Sequence, residues 1–219
     1  MARLTRRKLL AALPAAGAGA AALHAAVPHT HGGGGVAEAA QQNGHAGHTE
    51  GHAAFRGTVD HRRNGFDPHD TLRDFDWGRT RRLASGRVLR EWELVATSKE
   101  IEVAPGVSFA GWLYNDRLPG PTLRAREGEL LRITFRNATP APHTIHFHGL
   151  HPAAMDGVAG VGGGEILPGA STVYEFDAEP FGMHLYHCHV RPLAEHIAKG
   201  MYGAFVIDPK QGREDADEL

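Results

Sequence analysis

Twenty residues, Gly182 to Met201, read GMHLYHCHVRPLAEHIAKGM and hold the only cysteine of the chain, Cys188, between His187 and His189, with His196 and Met201 following a short loop. Thiolate sulfur and imidazole nitrogen suit copper, and a distant Met is the usual weak axial partner of that set, so these residue types point to a copper centre. A single thiol excludes an internal disulfide. A second stretch, Pro142 to Gly149, reads PHTIHFHG. Side chains alternate across an extended strand, so His146 and His148 share one face and His143 takes the other, just as His187 and His189 oppose Cys188. Two sites are expected if both stretches are strands of one sandwich. The inner one would be His143, Cys188 and His196 with axial Met201; the outer one would be His146, His148, His187 and His189. The backbone at Cys188 would join them.

Such sites need strands to carry them, and from Arg87 onward the chain supplies the pattern of short strands between turn residues. The expected strands are Val88 to Thr97, Glu100 to Val103, Val107 to Tyr114, Thr122 to Ala125, Glu129 to Asn137, Thr144 to His148, Ser171 to Phe176, Met183 to His189 and Ala204 to Asp208. Pro105-Gly106, Leu118 to Pro121, Thr139 to Pro142 and Leu167 to Gly169 break them. The fold class is all-β, one Greek-key β-sandwich over residues 87–209, about 120 residues and so ample for its own core.

His-x-x-His-x-His-Gly, then His-Cys-His, then His-x-x-x-Gly-Met resembles the copper-binding segments of multicopper oxidases, the laccase-like branch of the cupredoxin superfamily. The resemblance covers residues 87–209 and implies a cupredoxin-like sandwich. By it, His143, Cys188, His196 and Met201 match type 1 copper ligands, and His146, His148, His187 and His189 match ligands of a type 2/type 3 cluster. Asp156-Gly157-Val158 resembles the Asp-Gly-Val turn of a laccase amino-terminal domain, with Asp156 a candidate proton relay or simply a turn residue. The spacing departs from laccases, where three residues usually follow the His-Cys-His before the next ligand. Val190 to Glu195 make six here, which is closer to copper nitrite reductases. Those enzymes typically carry Asp at the place of His146 and no His at the place of His189. Laccases also hold two or three such domains, and this chain has room for one.

The rest of the chain bounds the setting. Residues 1–27 read as an export signal, with Arg3, Arg6, Arg7 and Lys8 before an apolar run shorter than a bilayer span, and Arg6-Arg7 resembles a twin-arginine signature. Periplasmic or extracellular work is expected, at the cell surface if the signal stays. Residues 28–54, rich in Gly, Ala and His, read as a disordered linker whose histidines either capture copper or merely space. Residues 55–86 read as an irregular arm anchored by Phe66, Phe75 and Trp77, and residues 210–219 as a polar tail. A net charge of −2 argues against a nucleic-acid partner, and no phosphate loop or nucleophile motif competes.

Three functions remain open on these residues. The first is an oxidase taking electrons from a small-molecule or metal-ion donor at the type 1 site and passing them to a cluster where oxygen becomes water. The family's cluster uses eight imidazoles and one domain offers four, so a homo-oligomer would complete it across a two-fold contact. The second is a nitrite-reductase-like enzyme; the third is a blue-copper electron carrier. Among neighbouring residues, His184 reads as a packed, hydrogen-bonded core histidine, His151 as a surface loop position or a residue near the cluster mouth, and Met155 and Met183 as packing.

Overall fold

The computed structural model describes residues 57–213. In chain order the regular elements are α1 His61–Asn64, β1 Arg79–Arg82, β2 Val88–Ala104, β3 Val107–Tyr114, β4 Leu123–Arg126, β5 Leu130–Asn137, β6 His146–Phe147, β7 Ser171–Asp177, β8 Gly182–His187, α2 Leu193–Ala198 and β9 Tyr202–Asp208. One sheet runs β1-β2-β5-β7 with β3 also on β2, and the other runs β4-β9-β8-β6. The β2–β5 and β4–β9 pairs are parallel, the remaining pairs antiparallel.

Period-two patterning places the core between the sheets. Trp92, Leu94 and Ala96 on β2, Leu131, Ile133 and Phe135 on β5, Tyr174 and Phe176 on β7, and Phe205 and Ile207 on β9 form one buried cluster. The intervening Glu91, Arg132 and Glu175 stand on the outer face and pair across three strands, Arg132 reaching Glu91 at 3.1 Å and Glu175 at 2.6 Å. The outer face of β8 is the opposite: Met183 and Leu185 are exposed there, 75% and 53%, beside Tyr202.

Four local readings are corrected. The two strands expected at Val88–Thr97 and Glu100–Val103 are one, because β2 hands its pairing from β5 to β3 around Ala96 and never loses a ladder. Of Thr144 to His148 only His146 and Phe147 pair as a strand, since the His143 backbone is bridged to Ile166 and the Thr144 carbonyl accepts from the Tyr114 hydroxyl. Of the segment between Cys188 and His196, Leu193 onward is helical, so His196 is presented from α2. The arm is not wholly irregular: β1 pairs with β2, and α1 is clipped to β2 by Asn64, whose side chain exchanges two 2.8 Å bonds with the Glu102 backbone. Phe66 is buried with Ile101 and Leu113, whereas Trp77 remains 39% exposed. No helix among the described residues is long and apolar enough to cross a membrane. The expected export signal and His-rich linker lie outside the described residues.

Candidate metal centre

Where the sheets close, backbone bonds from three segments set the inner residues. His143 is fixed by reciprocal bonds with Ile166 (His143 N–H to Ile166 O, 3.1 Å; Ile166 N–H to His143 O, 2.9 Å). The Cys188 amide donates to Met201 O at 3.0 Å, and the Met201 amide to His196 O at 3.2 Å, so strand end, helix and return form one closed loop. Its product is a compact donor set. Cys188 Sγ lies 3.3 Å from His196 Nδ1 and 3.7 Å from His143 Nδ1, and the two Nδ1 atoms are 3.1 Å apart. His143, Cys188 and Met201 are fully buried and His196 nearly so. The Thr144 amide donates to the sulfur at 3.4 Å.

Burial also sets the protonation. It pulls His143 down to about 4, helped by the neighbouring His196, and lowers His196 as well. It pushes the Cys188 thiol up, against the pull of nearby amides. The resting site is therefore two neutral imidazoles and a thiol, and a cation would displace the thiol proton on binding. Two nitrogens and a soft sulfur, each less than 4 Å from the others, fit copper. Met201 is placed by its backbone beside both Cys188 and His196.

The outer residues gather on the exposed side of the same segments. His148 Nε2 and His187 Nε2 face each other at 2.8 Å, and with His146 they form a second candidate ligand group. His189 stands next to that group, its ring 5.3 Å from His146 and 5.6 Å from His187. Tautomers follow from the partners: His187 Nδ1 meets the Cys188 carbonyl at 2.8 Å, and His146 Nδ1 meets Asp156 O and Oδ1, both at 2.8 Å. Carbonyl and carboxylate oxygens only accept, so in the neutral rings the proton sits on Nδ1 and Nε2 is left to bind metal. Burial lowers His148 and His187, which keeps both neutral as ligands.

Asp156 reaches His146 because Gly157 has φ +68° and a side chain there would run into the Ile145 carbonyl. For His151 the structure favours the cluster mouth over the surface loop. It is no surface residue: its side chain is 10% exposed, its Nε2 lies 3.3 Å from Asp156 Oδ1, and its ring is 5.1 Å from His146. Only its nearness to Asp156 in the sequence hinted at this. His184 is half-buried, its ring nitrogens 3.0 Å from the His148 and Pro180 carbonyls. Met155 packs on the core, but Met183 does not pack; it lines an apolar cavity of about 780 Å³ that also touches Leu72, Phe75, His148, Leu185 and His187.

The chain is similar to known copper proteins. The sequence model of the multicopper oxidase family matches residues 95–212. A crystal structure of a multicopper oxidase superposes with a TM-score of 0.71 at 62% identity, covering 73% of this chain and 56% of that one. A multicopper oxidase from Pseudomonas thermotolerans gives 0.55 at 35% identity, over 57% and 30% of the two chains. Among curated relatives, the copper-containing nitrite reductase of Neisseria meningitidis is 31% identical over 128 residues, 58% of this chain and 32% of that protein. The chain thus spans about a third of the length of the nitrite reductases it matches.

Proposed function

Because the chain belongs to the multicopper oxidase family, whose cofactor is copper, we propose that it is a copper-dependent oxidoreductase passing electrons from an external donor to oxygen. The carrying observation is that both candidate sites are built from the same two segments. Cys188 of the inner set is the covalent neighbour of His187 and His189 of the outer set, and His143 stands three residues from His146. In this reading His143, Cys188, His196 and Met201 hold type 1 copper. His146, His148, His187 and His189 give one chain's half of a type 2/type 3 cluster. Bound copper supplies one-electron exchange at the inner site and the reduction of oxygen to water at the outer one, chemistry that no side chain provides.

The protein's own contributions are local. Burial keeps water from the sulfur and holds both inner imidazoles neutral. Asp156 turns His146 so that its Nε2 faces the other rings, and its carboxylate can hold a proton within hydrogen-bond reach of His146 and His151. The other half of the cluster comes from a second copy across an isologous contact. Met183, Leu185 and Tyr202, exposed beside His148 and His187, support that placement: the apolar cavity is continuous with the unfinished ligand group. Arg3, Arg6, Arg7 and Lys8 ahead of an apolar run support export and work outside the cytoplasm.

A nitrite-reductase-like enzyme is the second reading, favoured by the curated relatives bearing that name. Metal content, electron paramagnetic resonance and particle mass of the copper-loaded chain separate the cases. The oxidase requires one blue copper per chain, three further coppers per pair of chains, and an assembly of at least two chains. Two coppers per chain with nitrite turnover would replace it with the reductase. One copper on a monomer would leave a blue-copper carrier.

A further inference from the structure

His143 departs from the ordinary design of a metal-binding histidine. Such a ring normally donates its second nitrogen to an oxygen, and that bond sets its orientation. His143 Nε2 is buried and has no hydrogen-bond partner. An aromatic ring lies beside it instead: Trp112 on β3 packs edge-on to His143 with centroids 5.0 Å apart and an interplanar angle of 69°. The same indole lies 4.9 Å from His196, tilted by 51°. The two imidazoles are themselves 5.0 Å apart, so the three rings form a triangle. Trp112 is half-buried while both imidazoles are buried, which puts the indole at the solvent edge of the inner set.

Lys199 in turn holds Trp112. The Trp112 amide donates to Lys199 O at 2.9 Å, and the Lys199 ammonium sits over the indole at 4.9 Å. The next residue, Gly200, has φ +111°, and a side chain there would press on Leu118 and Leu113 at 2.8 and 3.0 Å, so β3 and the segment leading into Met201 meet at backbone distance. One residue on β3 therefore touches both imidazoles and bonds to the segment carrying Met201.

We propose that Trp112 is the positioning residue of the inner site, orienting His143 and His196 in place of the missing hydrogen bond, and that Lys199 locks the indole in register. This rests on the inner set being the type 1 copper site. The alternative is that Trp112 is only a packing residue, and a control variant separates the two. Leu131→Ala removes buried volume at the far end of β5 and lowers stability without touching the site.

The full chain, native and as Trp112→Phe, Trp112→Leu, Lys199→Met and Leu131→Ala, is titrated with Cu(II) and followed by the thiolate-to-copper absorption and the copper hyperfine splitting. Trp112→Phe, which keeps an aromatic edge, should stay close to native. Trp112→Leu should bind Cu(II) about tenfold more weakly with an altered hyperfine splitting. Lys199→Met should move both in the same direction by less, and Leu131→Ala should leave the spectrum alone. Native spectrum and affinity in Trp112→Leu would overturn the proposal, as would a Leu131→Ala spectrum equally altered at matched melting temperature. Should Trp112→Leu not fold, an unchanged spectrum in Lys199→Met overturns it. If the native chain itself shows no thiolate-to-copper band, the copper reading fails instead. Positioning is then judged on metal-free protein by the nitrogen-15 shifts of His143 and His196, which must move in Trp112→Leu and not in Leu131→Ala.

Discussion

The inner and outer histidines come from the same two segments yet finish in opposite surroundings. His143 and His196 are buried, touch the sulfur and share an indole, so the donor set closes within one chain. His148 is exposed, His146 and His187 are half-buried, and His148 and His187 line a largely apolar cavity beside the outer face of β8. The two outer sheet faces repeat the contrast. One carries the Glu91–Arg132–Glu175 ion-pair row suited to water, and the other exposes Met183 and Leu185. Burial closes the inner donor group within a single chain, while the outer group lies beside exposed apolar surface.

The sharpest way to break that contrast is Cys188→Ser, which should abolish the blue absorption and reduce oxygen consumption to background, because no second thiol exists to replace it. Next, His187→Ala should lose outer copper and oxygen turnover by metal analysis and oxygen electrode while the blue band persists; loss of both would mean that the sites are not separable. Leu185→Glu places a charge on the apolar face and should weaken assembly by about 2 kcal/mol or more, seen as a fall in particle mass together with outer copper. An unchanged mass would remove the shared-site reading. Asp156→Ala removes the carboxylate partner of His146 Nδ1 while the backbone carbonyl of residue 156 remains, and should cost about 10-fold in outer copper affinity, measured by competition with a chelator.

A separate effect concerns the metal-free inner site. Burial holds His143 at about 4, below its ordinary value of 6.5. Between those values the unfolded chain takes up a proton that the folded site refuses. Stability should therefore fall as pH drops from about 6.5 toward 4, by up to about 3 kcal/mol, and be retained above that window. Urea midpoints across the range test this. His148, already exposed, should contribute far less.

The alternation argument from the sequence was sound for the reason that side chains obey it wherever backbone is extended. It separated Cys188 from His187 and His189, and His143 from His146 and His148, and the structure gathers His143 with Cys188, and His146, His148 and His187 in another group with His189 beside it. The sandwich class was equally legible, since proline and glycine breaks between β-rich runs leave few other folds. Local spacing could not show that β2 would change partners at Ala96, because a strand's neighbours are chosen by the other strands. Nor could it show that His196 rides on a helix, or that His151 turns inward to Asp156; both depend on how a loop packs on the finished sheet.

Residue types and their order along the chain were enough to select the metal, the fold class and two sets of candidate donors, because ligand softness and strand alternation are local properties. Distances, burial and the company each ring keeps were decided only when segments more than thirty residues apart met. That is where Trp112 found His143 and where the apolar face of β8 was left uncovered, since neither contact is written into any one stretch of sequence.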